Sequence, residues 1–392
     1  MTNFAGATRA YGFVAYADCR GFGGGLDMKL ATFAFCVCAA QASAGGLDAT
    51  GQPISFLFGQ GTVAELGFGI VGTEISGRDA AVFGGSATGN LGRDIAIMSF
   101  SYKQDLTDRL SFGVLVENPF VAEIAYGPGS VAFAGTSASA KTTGVTLLGR
   151  YKVTDRISVF GGPRFQSATA DFLLTGAIYG PFSGYSAEME RDSGLGYVVG
   201  AAFEIPEYFL RASLTYGSAI SHDFETTEIS VLGTTASQVS ADTPQSVNFE
   251  FQTGVAPGTF AFGGARWVEW SALQFAPPVL SAVSPDPLVD FRDTWSYTLG
   301  IGRQFSDHWS GTLAVVYEPS TNKRPTPLSP TDGYRGLALG AIYRTDRIEM
   351  HLNMAMLRLG DTQPYVNALG TTVSTFEDNR SFALGSKLVF RF

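Results

Sequence analysis

Cysteine is nearly missing from this chain: three in 392 residues, at Cys19, Cys36 and Cys38. A product that starts after residue 44 has none, so neither disulfides nor thiolate metal sites enter the argument. Histidine is as scarce, and His222, His308 and His351 have no metal-ligand spacing, so neither a metal nor a cofactor is expected. Charge is thin at 16% of residues, the net charge is −9 and there is no basic run, which excludes the phosphate neutralisation that non-specific nucleic-acid binding needs. No Walker pattern opens a helix. Beyond residue 44 no stretch approaches the roughly 20 unbroken apolar residues of a bilayer-crossing helix.

What the chain has instead is 48 Gly, 31 Phe and 15 Tyr, a balance suited to twisted strands with aromatic residues at a membrane boundary. Period-two alternation runs to the last residue. Phe382, Leu384, Leu388, Phe390 and Phe392 share one strand face, and Gly385, Lys387 and Arg391 share the other. A strand that ends on an aromatic resembles the C-terminal signal of bacterial outer-membrane barrels, which implies recognition of Phe390, Arg391 and Phe392 by the barrel-assembly machinery.

The front end reads as an export signal. Met28-Lys29 precedes an apolar stretch over residues 30–40, and Ala42-Ser43-Ala44 supplies an A-x-A-like cleavage site. Residues 1–44 are therefore expected to be removed, with 1–27 a misplaced gene start and the exported chain beginning at Gly45. Phe35 and Val37 stand before the signal cysteines, where a lipoprotein site would need a small residue.

From about residue 62 the alternating segments are joined by two classes of connection. Short polar turns fall at 103–109, 152–156, 204–208, 256–259, 304–308 and 344–347. Longer stretches rich in Gly, Ser, Pro and Thr fall near 79–90, 118–138, 172–190, 219–244, 271–292, 319–334 and 359–378. Short turns on one side and long loops on the other mark a membrane barrel, and this set calls for about fourteen antiparallel strands. Within residues 246–254, Val247, Phe249 and Phe251 alternate with Ser246, Asn248, Glu250 and Gln252, giving one face for lipid and one for a polar interior. The expected architecture is all-β, a closed transmembrane barrel over 62–392 with a short lumenal plug over 45–61. A soluble β-sandwich would also alternate, but it needs neither two classes of loop nor a terminal aromatic.

Ordered matches along the exported chain carry a family resemblance. They include Gly46-Leu47-Asp48, Gly51-Gln52-Pro53-Ile54, Asn118-Pro119-Phe120, residues 195–200 (LGYVVG), His222-Asp223-Phe224, residues 243–247 (TPQSV), 266–271 (RWVEWS) and 329–334 (SPTDGY). On these residues the chain resembles the FadL family of outer-membrane transporters for long-chain fatty acids and related hydrophobic compounds. The resemblance implies a fourteen-stranded barrel with an N-terminal plug, a monomer among lipid and lipopolysaccharide of the outer membrane, and transport in three stages: capture by loops, binding inside, and exit sideways through the wall. One departure stands out. The best-known members carry a hatch of about forty residues with an Asn-Pro-Ala signature, whereas only residues 45–61 precede the first strand here.

The candidate site residues follow. Phe172, Leu174, Tyr179 and Phe182 make the 172–190 stretch a candidate apolar catch, and Phe56 and Phe58 of the N-terminal segment could line an interior pocket. For a carboxylate head, Arg150, Arg164 and Arg211 lie on polar faces and offer a two-point fork; their alternative role is an interior ion-pair network with Glu117, Glu250 and Glu349. Pro119 has no N–H for a ladder, so Asn118, Pro119 and Phe120 should interrupt the third strand, where the resemblance implies a lateral gate. A barrel hydrolase would need a nucleophile beside a base, and no serine pattern marks a partner for His351. A diffusion porin and a structural barrel are the remaining alternatives.

Overall fold

The computed structural model describes residues 48–284, 287–321 and 325–392. The expected signal segment, residues 1–44, lies outside the described residues. Fourteen strands form one antiparallel ring. They are β1 (Val63–Glu74), β2 (Ile95–Asp105), β3 in two segments (Leu110–Glu117 and Val121–Ala125), β4 (Ser137–Lys152), β5 (Ile157–Leu174), β6 (Tyr185–Ile205) and β7 in two segments (Leu210–Gly217 and Ile220–Ser230). Then come β8, also in two segments (Gly233–Thr243 and Ser246–Ala256), β9 (Thr259–Val268), β10 (Thr294–Gln304), β11 (Trp309–Glu318), β12 (Tyr334–Arg344), β13 (Ile348–Leu359) and β14 (Arg380–Arg391).

Each strand pairs with the next, and β14 returns to β1 in unbroken register from Val63↔Arg391 to Glu74↔Arg380. The Phe392 N–H reaches the Thr62 carbonyl at 3.1 Å, so the seam is bonded to its end. Closure is what a sheet in hydrocarbon requires, because an open edge would leave N–H and C=O groups unpaired at several kcal/mol each.

The two faces follow the sequence alternation. Leu66, Phe68, Ile70, Leu339, Leu352, Met356 and Leu384 are exposed on the outer wall. Lys103, Glu117, Arg150, Arg164, Arg211, Arg266, Glu349, His351 and Lys387 point inward and are at most 8% exposed. Most of these buried charges are ion-paired. Glu349 accepts from Arg344 at 3.0 Å, Arg391 at 3.1 Å and His351 at 2.8 Å, and Lys387 reaches Glu65 at 3.2 Å across the β14–β1 seam.

Three expected loops prove shorter than their composition suggests. The 118–138 stretch reduces to 126–136, because β3 runs to Ala125 and β4 starts at Ser137. The 172–190 stretch reduces to residues 175–184, because β5 runs to Leu174 and β6 starts at Tyr185. The 219–244 stretch is a hairpin, Ile220–Ser230 against Gly233–Thr243, with only 231–232 between. The hairpin lies at the long-loop end of the strands, where the outer face meets water and has no need of apolar residues, so its Ser- and Thr-rich strands read as loop.

The wall has a polarity test. Leu339 sits midway along β12 on the lipid face, and Leu339→Arg should lower the folding free energy by about 2–4 kcal/mol, measured by urea titration of barrels refolded in vesicles. An unchanged midpoint would mean that this face does not meet hydrocarbon.

Candidate functional site

The interior is built in layers, and β5 alone displays their order. From the short-turn end its inward residues are Ser158 and Phe160, then Arg164 and Gln166, then Ala168, Ala170, Phe172 and Leu174. Above Ser158, apolar, polar and apolar levels follow one another.

The lowest apolar level is filled by the N-terminal segment. Asp48 Oδ1 accepts from the Gly51 N–H at 3.1 Å, Gly51 and Gln52 both take positive φ, and after Pro53 the chain winds one 3-10 turn, Ser55–Phe58. Ile54, Phe56, Leu57 and Phe58 then pack on Leu115, Leu148, Phe160, Val198 and Ala202 of the wall. Gly113 makes room for the turn, since a Cβ there would stand 2.6 Å from Leu57 Cδ2 and 2.9 Å from Phe56 Cε2. Arg150 and Arg211 each place a guanidinium 4.5 Å from the centre of the Phe58 ring, which also meets Phe160 edge-on at 6.0 Å. Lys103 Nζ holds the end of the segment through the Gly59 and Gly61 carbonyls at 2.7 and 3.0 Å.

The polar level ties the start of the same segment to the wall. Asp48 accepts from Arg266 Nε at 2.5 Å, and Arg266 also donates to Asn248 Oδ1 at 2.7 Å. Thr50 donates to Glu117 at 2.5 Å, and Glu117 takes Arg164 Nη2 at 3.2 Å on its other oxygen. Arg164 Nε is satisfied by Thr146 at 3.0 Å.

Above this belt lies the largest apolar cluster. Phe172, Leu174, Tyr185, Met189, Phe224 and Val239 come from the strands, and Trp270, Leu273, Phe275 and Leu280 from the 269–293 connection folded inward. The Phe172 and Phe275 rings meet at 5.2 Å, tilted by 59°. The inward loop is held by a buried carboxylate: Glu228 accepts from Tyr185 Oη at 2.7 Å, Ser237 Oγ at 2.7 Å and the Val279 N–H at 3.1 Å.

Beside this cluster the wall is interrupted. Pairing of β2 with β3 stops at Phe100↔Val116, although β2 continues on its β1 side to Ile95↔Val71. The upper segment of β3 pairs only with β4, from Val121↔Lys141 to Ala125↔Ser137, and meets the chain before β2 again only at Gly92↔Ile124. Asn118 spans the break with its amide: Oδ1 accepts the Met98 N–H at 3.4 Å and Nδ2 donates to the Thr142 carbonyl at 3.0 Å. The Pro119 carbonyl turns inward and accepts the Ala49 N–H at 2.8 Å. Phe120 enters the upper cluster and meets Trp270 edge-on at 5.5 Å.

The residues singled out from sequence therefore fall in three places. Phe172, Leu174 and Tyr179 gather at the upper cluster, whereas Phe182 is half-buried outside it. Phe56 and Phe58 lie two layers lower. The three arginines do not meet at one point: Arg150 and Arg211 converge on Phe58, and Arg164 belongs to the belt above. Arg150 is further paired with Glu204, and Arg211 with Gln252 at 3.2 Å. Asn118, Pro119 and Phe120 sit at the break. Sequence reading passed over Asp48, Glu204, Glu228, Arg266 and Trp270. Glu204 looks like a turn residue, and only strand register puts it beside Arg150.

A family profile described as outer membrane protein transport protein (OMPP1/FadL/TodX) matches residues 53–387. Among solved structures, a Pseudomonas aeruginosa FadL homologue is similar over 87% of this chain and 92% of its own, at 15% identity and a TM-score of 0.71. The Pseudomonas putida toluene transporter TodX covers 86% of this chain and 92% of its own at 14% identity and a TM-score of 0.60. The Ralstonia pickettii toluene transporter TbuX covers 85% and 90% at 14% identity and a TM-score of 0.57. At such identities these likenesses speak for the fold. No curated protein matches by sequence.

Phe58 is the residue on which the lowest layer turns. Phe58→Ala should cost about 3–5 kcal/mol of packing and loosen the N-terminal segment, raising ion conductance across planar bilayers. Conductance equal to that of the unaltered protein would mean that the segment is held by other contacts.

Proposed function

The chain belongs to the FadL/TodX family of outer membrane transport proteins, and from that premise we propose that it passes neutral or weakly polar hydrophobic compounds sideways into the bilayer. It is thus a transporter of hydrophobic compounds and not an enzyme. The observation that carries the lateral route is Phe120, which belongs both to the upper apolar cluster and to the break in β3. A compound displacing side chains of the 269–293 connection from that cluster has the unpaired stretch of wall beside it. Leaving there, it enters hydrocarbon without crossing the polar belt below.

The charge pattern supports an uncharged cargo. Arg150, Arg164 and Arg266 each face a carboxylate, and Arg211 faces Gln252 and the Phe58 ring. Glu228 is a buried carboxylate held against the upper cluster, and it would repel a fatty-acid carboxylate. A toluene-like hydrocarbon, the cargo for which two structural relatives are named, suits that lining. A long-chain fatty acid fits through its tail, with the head kept above the cluster. A general diffusion pore is disfavoured by a lumen filled at three levels.

The outer wall supports a place among lipopolysaccharide. Arg335, Arg358 and Arg380 stand in register side by side at the long-loop end, facing outward; Arg358 bonds Asp378 and Arg380 bonds Glu74, and their remaining N–H groups with those of Arg335 could donate to lipid phosphates. The ring is complete within one chain, which favours a monomer, and Phe390, Arg391 and Phe392 serve as the assembly signal.

Restoring the ladder tests the route. In cells that depend on this protein for growth on toluene, N118V/P119T should abolish uptake while the purified variant still binds toluene. Uptake at the unaltered rate would refute lateral exit.

A further inference from the structure

Two buried polar atoms at the foot of the upper cluster have no partner among the described residues: His222 Nε2 and Gln166 Nε2. Their side chains are 1% and 2% exposed, so the lack of a partner has a real cost. Both point inward, His222 from the upper segment of β7 and Gln166 from β5. Between them on β6 stands Gly194, in register with Gln166, and a Cβ there would meet Ile220 Cγ2 at 2.4 Å and His222 Cε1 at 3.4 Å. Gln166 reaches across this strand to Thr243 Oγ1, 2.8 Å from its Oε1, and Thr243 pairs in register with Ile220, two residues from His222. The amide and the imidazole therefore occupy one patch of wall.

Their outer bonds fix what each can offer. Of the two acceptors beside the Thr243 hydroxyl, Gln166 Oε1 at 2.8 Å is nearer than the Ile220 carbonyl at 3.2 Å, and a bond to Oε1 leaves the amide N–H groups of Nε2 as donors. Asp192 Oδ2 lies 3.0 Å from His222 Nδ1 and accepts its proton, so the neutral ring presents a lone pair at Nε2. The ring is stacked on Phe224, a member of the apolar cluster, at 5.7 Å. A donor and an acceptor side by side at the edge of an apolar lining complement a hydroxyl, which accepts one hydrogen bond and gives one.

We propose that His222 and Gln166 form a head-group subsite for hydroxylated hydrophobic compounds, phenols or long-chain alcohols, whose apolar body lies in the upper cluster. This assignment rests on that cluster being the ligand chamber. A hydroxyl there satisfies both orphaned atoms, whereas a hydrocarbon leaves them unpaired, so the site separates an alcohol from its hydrocarbon by more than apolar contact can.

Binding of p-cresol, 4-methylanisole and toluene to the purified full-length protein in detergent tests the subsite, with H222F and Q166M as variants that keep ring and chain volume. Heat-modifiable gel mobility monitors folding. Each substitution should weaken p-cresol about tenfold and leave toluene unchanged, with 4-methylanisole, which cannot donate, insensitive to H222F. Equal effects on p-cresol and toluene, or none on p-cresol, would overturn the subsite and leave the chamber standing. If the unaltered protein bound none of the three, the chamber reading would fall and the subsite with it.

Discussion

Every backbone N–H and C=O at bilayer depth must find a partner inside the protein, and the rest of the structure depends on that requirement. It closes β14 on β1 through twelve consecutive registered pairs. It also bears on the place where the pairing of β2 with β3 is interrupted. At Asn118-Pro119-Phe120 a proline has removed a donor, and the side-chain amide of Asn118 takes over part of the ladder's task. A side-chain bond of this kind can be exchanged without unzipping neighbouring pairs, which is why the lateral exit is proposed at this break.

The inward face obeys a second form of the same rule, since a buried charge without a partner is far more costly than a pair. Arg266 holds Asp48 and Arg164 holds Glu117, which in turn accepts from Thr50. The N-terminal segment thus supplies part of the belt's charge balance, and Ala49 bonds the carbonyl of Pro119 at the break. Segment, belt and broken strand are thus joined by hydrogen bonds.

Much of the fold was legible in the chain. Alternations such as Val247, Phe249 and Phe251 against Ser246 and Asn248 gave the two faces, and turns such as 152–156 and 344–347 gave strand number and direction. The Pro119 interruption was readable for the same reason: a missing N–H is a local property. Loop extents were not, because the strands over 220–243 rise out of the membrane and lose the apolar face that identifies a strand in lipid. The site was less legible still. That Arg150 meets Glu204, that Asp48 meets Arg266 and that His222 stands near Gln166 depend on register between strands distant in sequence, and no spacing along the chain encodes it. His222 in particular reads as a loop residue until the extended hairpin places it on an inward strand face.

The central claim is that hydrophobic cargo rests in the upper cluster and leaves beside Phe120 instead of passing down the lumen. Anomalous scattering from crystals soaked in bromobenzene tests it most directly. The account predicts bromine sites near Trp270 and Phe120 and a further site at the outer mouth of the break between β2 and β3. Bromine sites below the Arg164–Glu117 belt, among Phe56, Phe58 and Phe160, would contradict it.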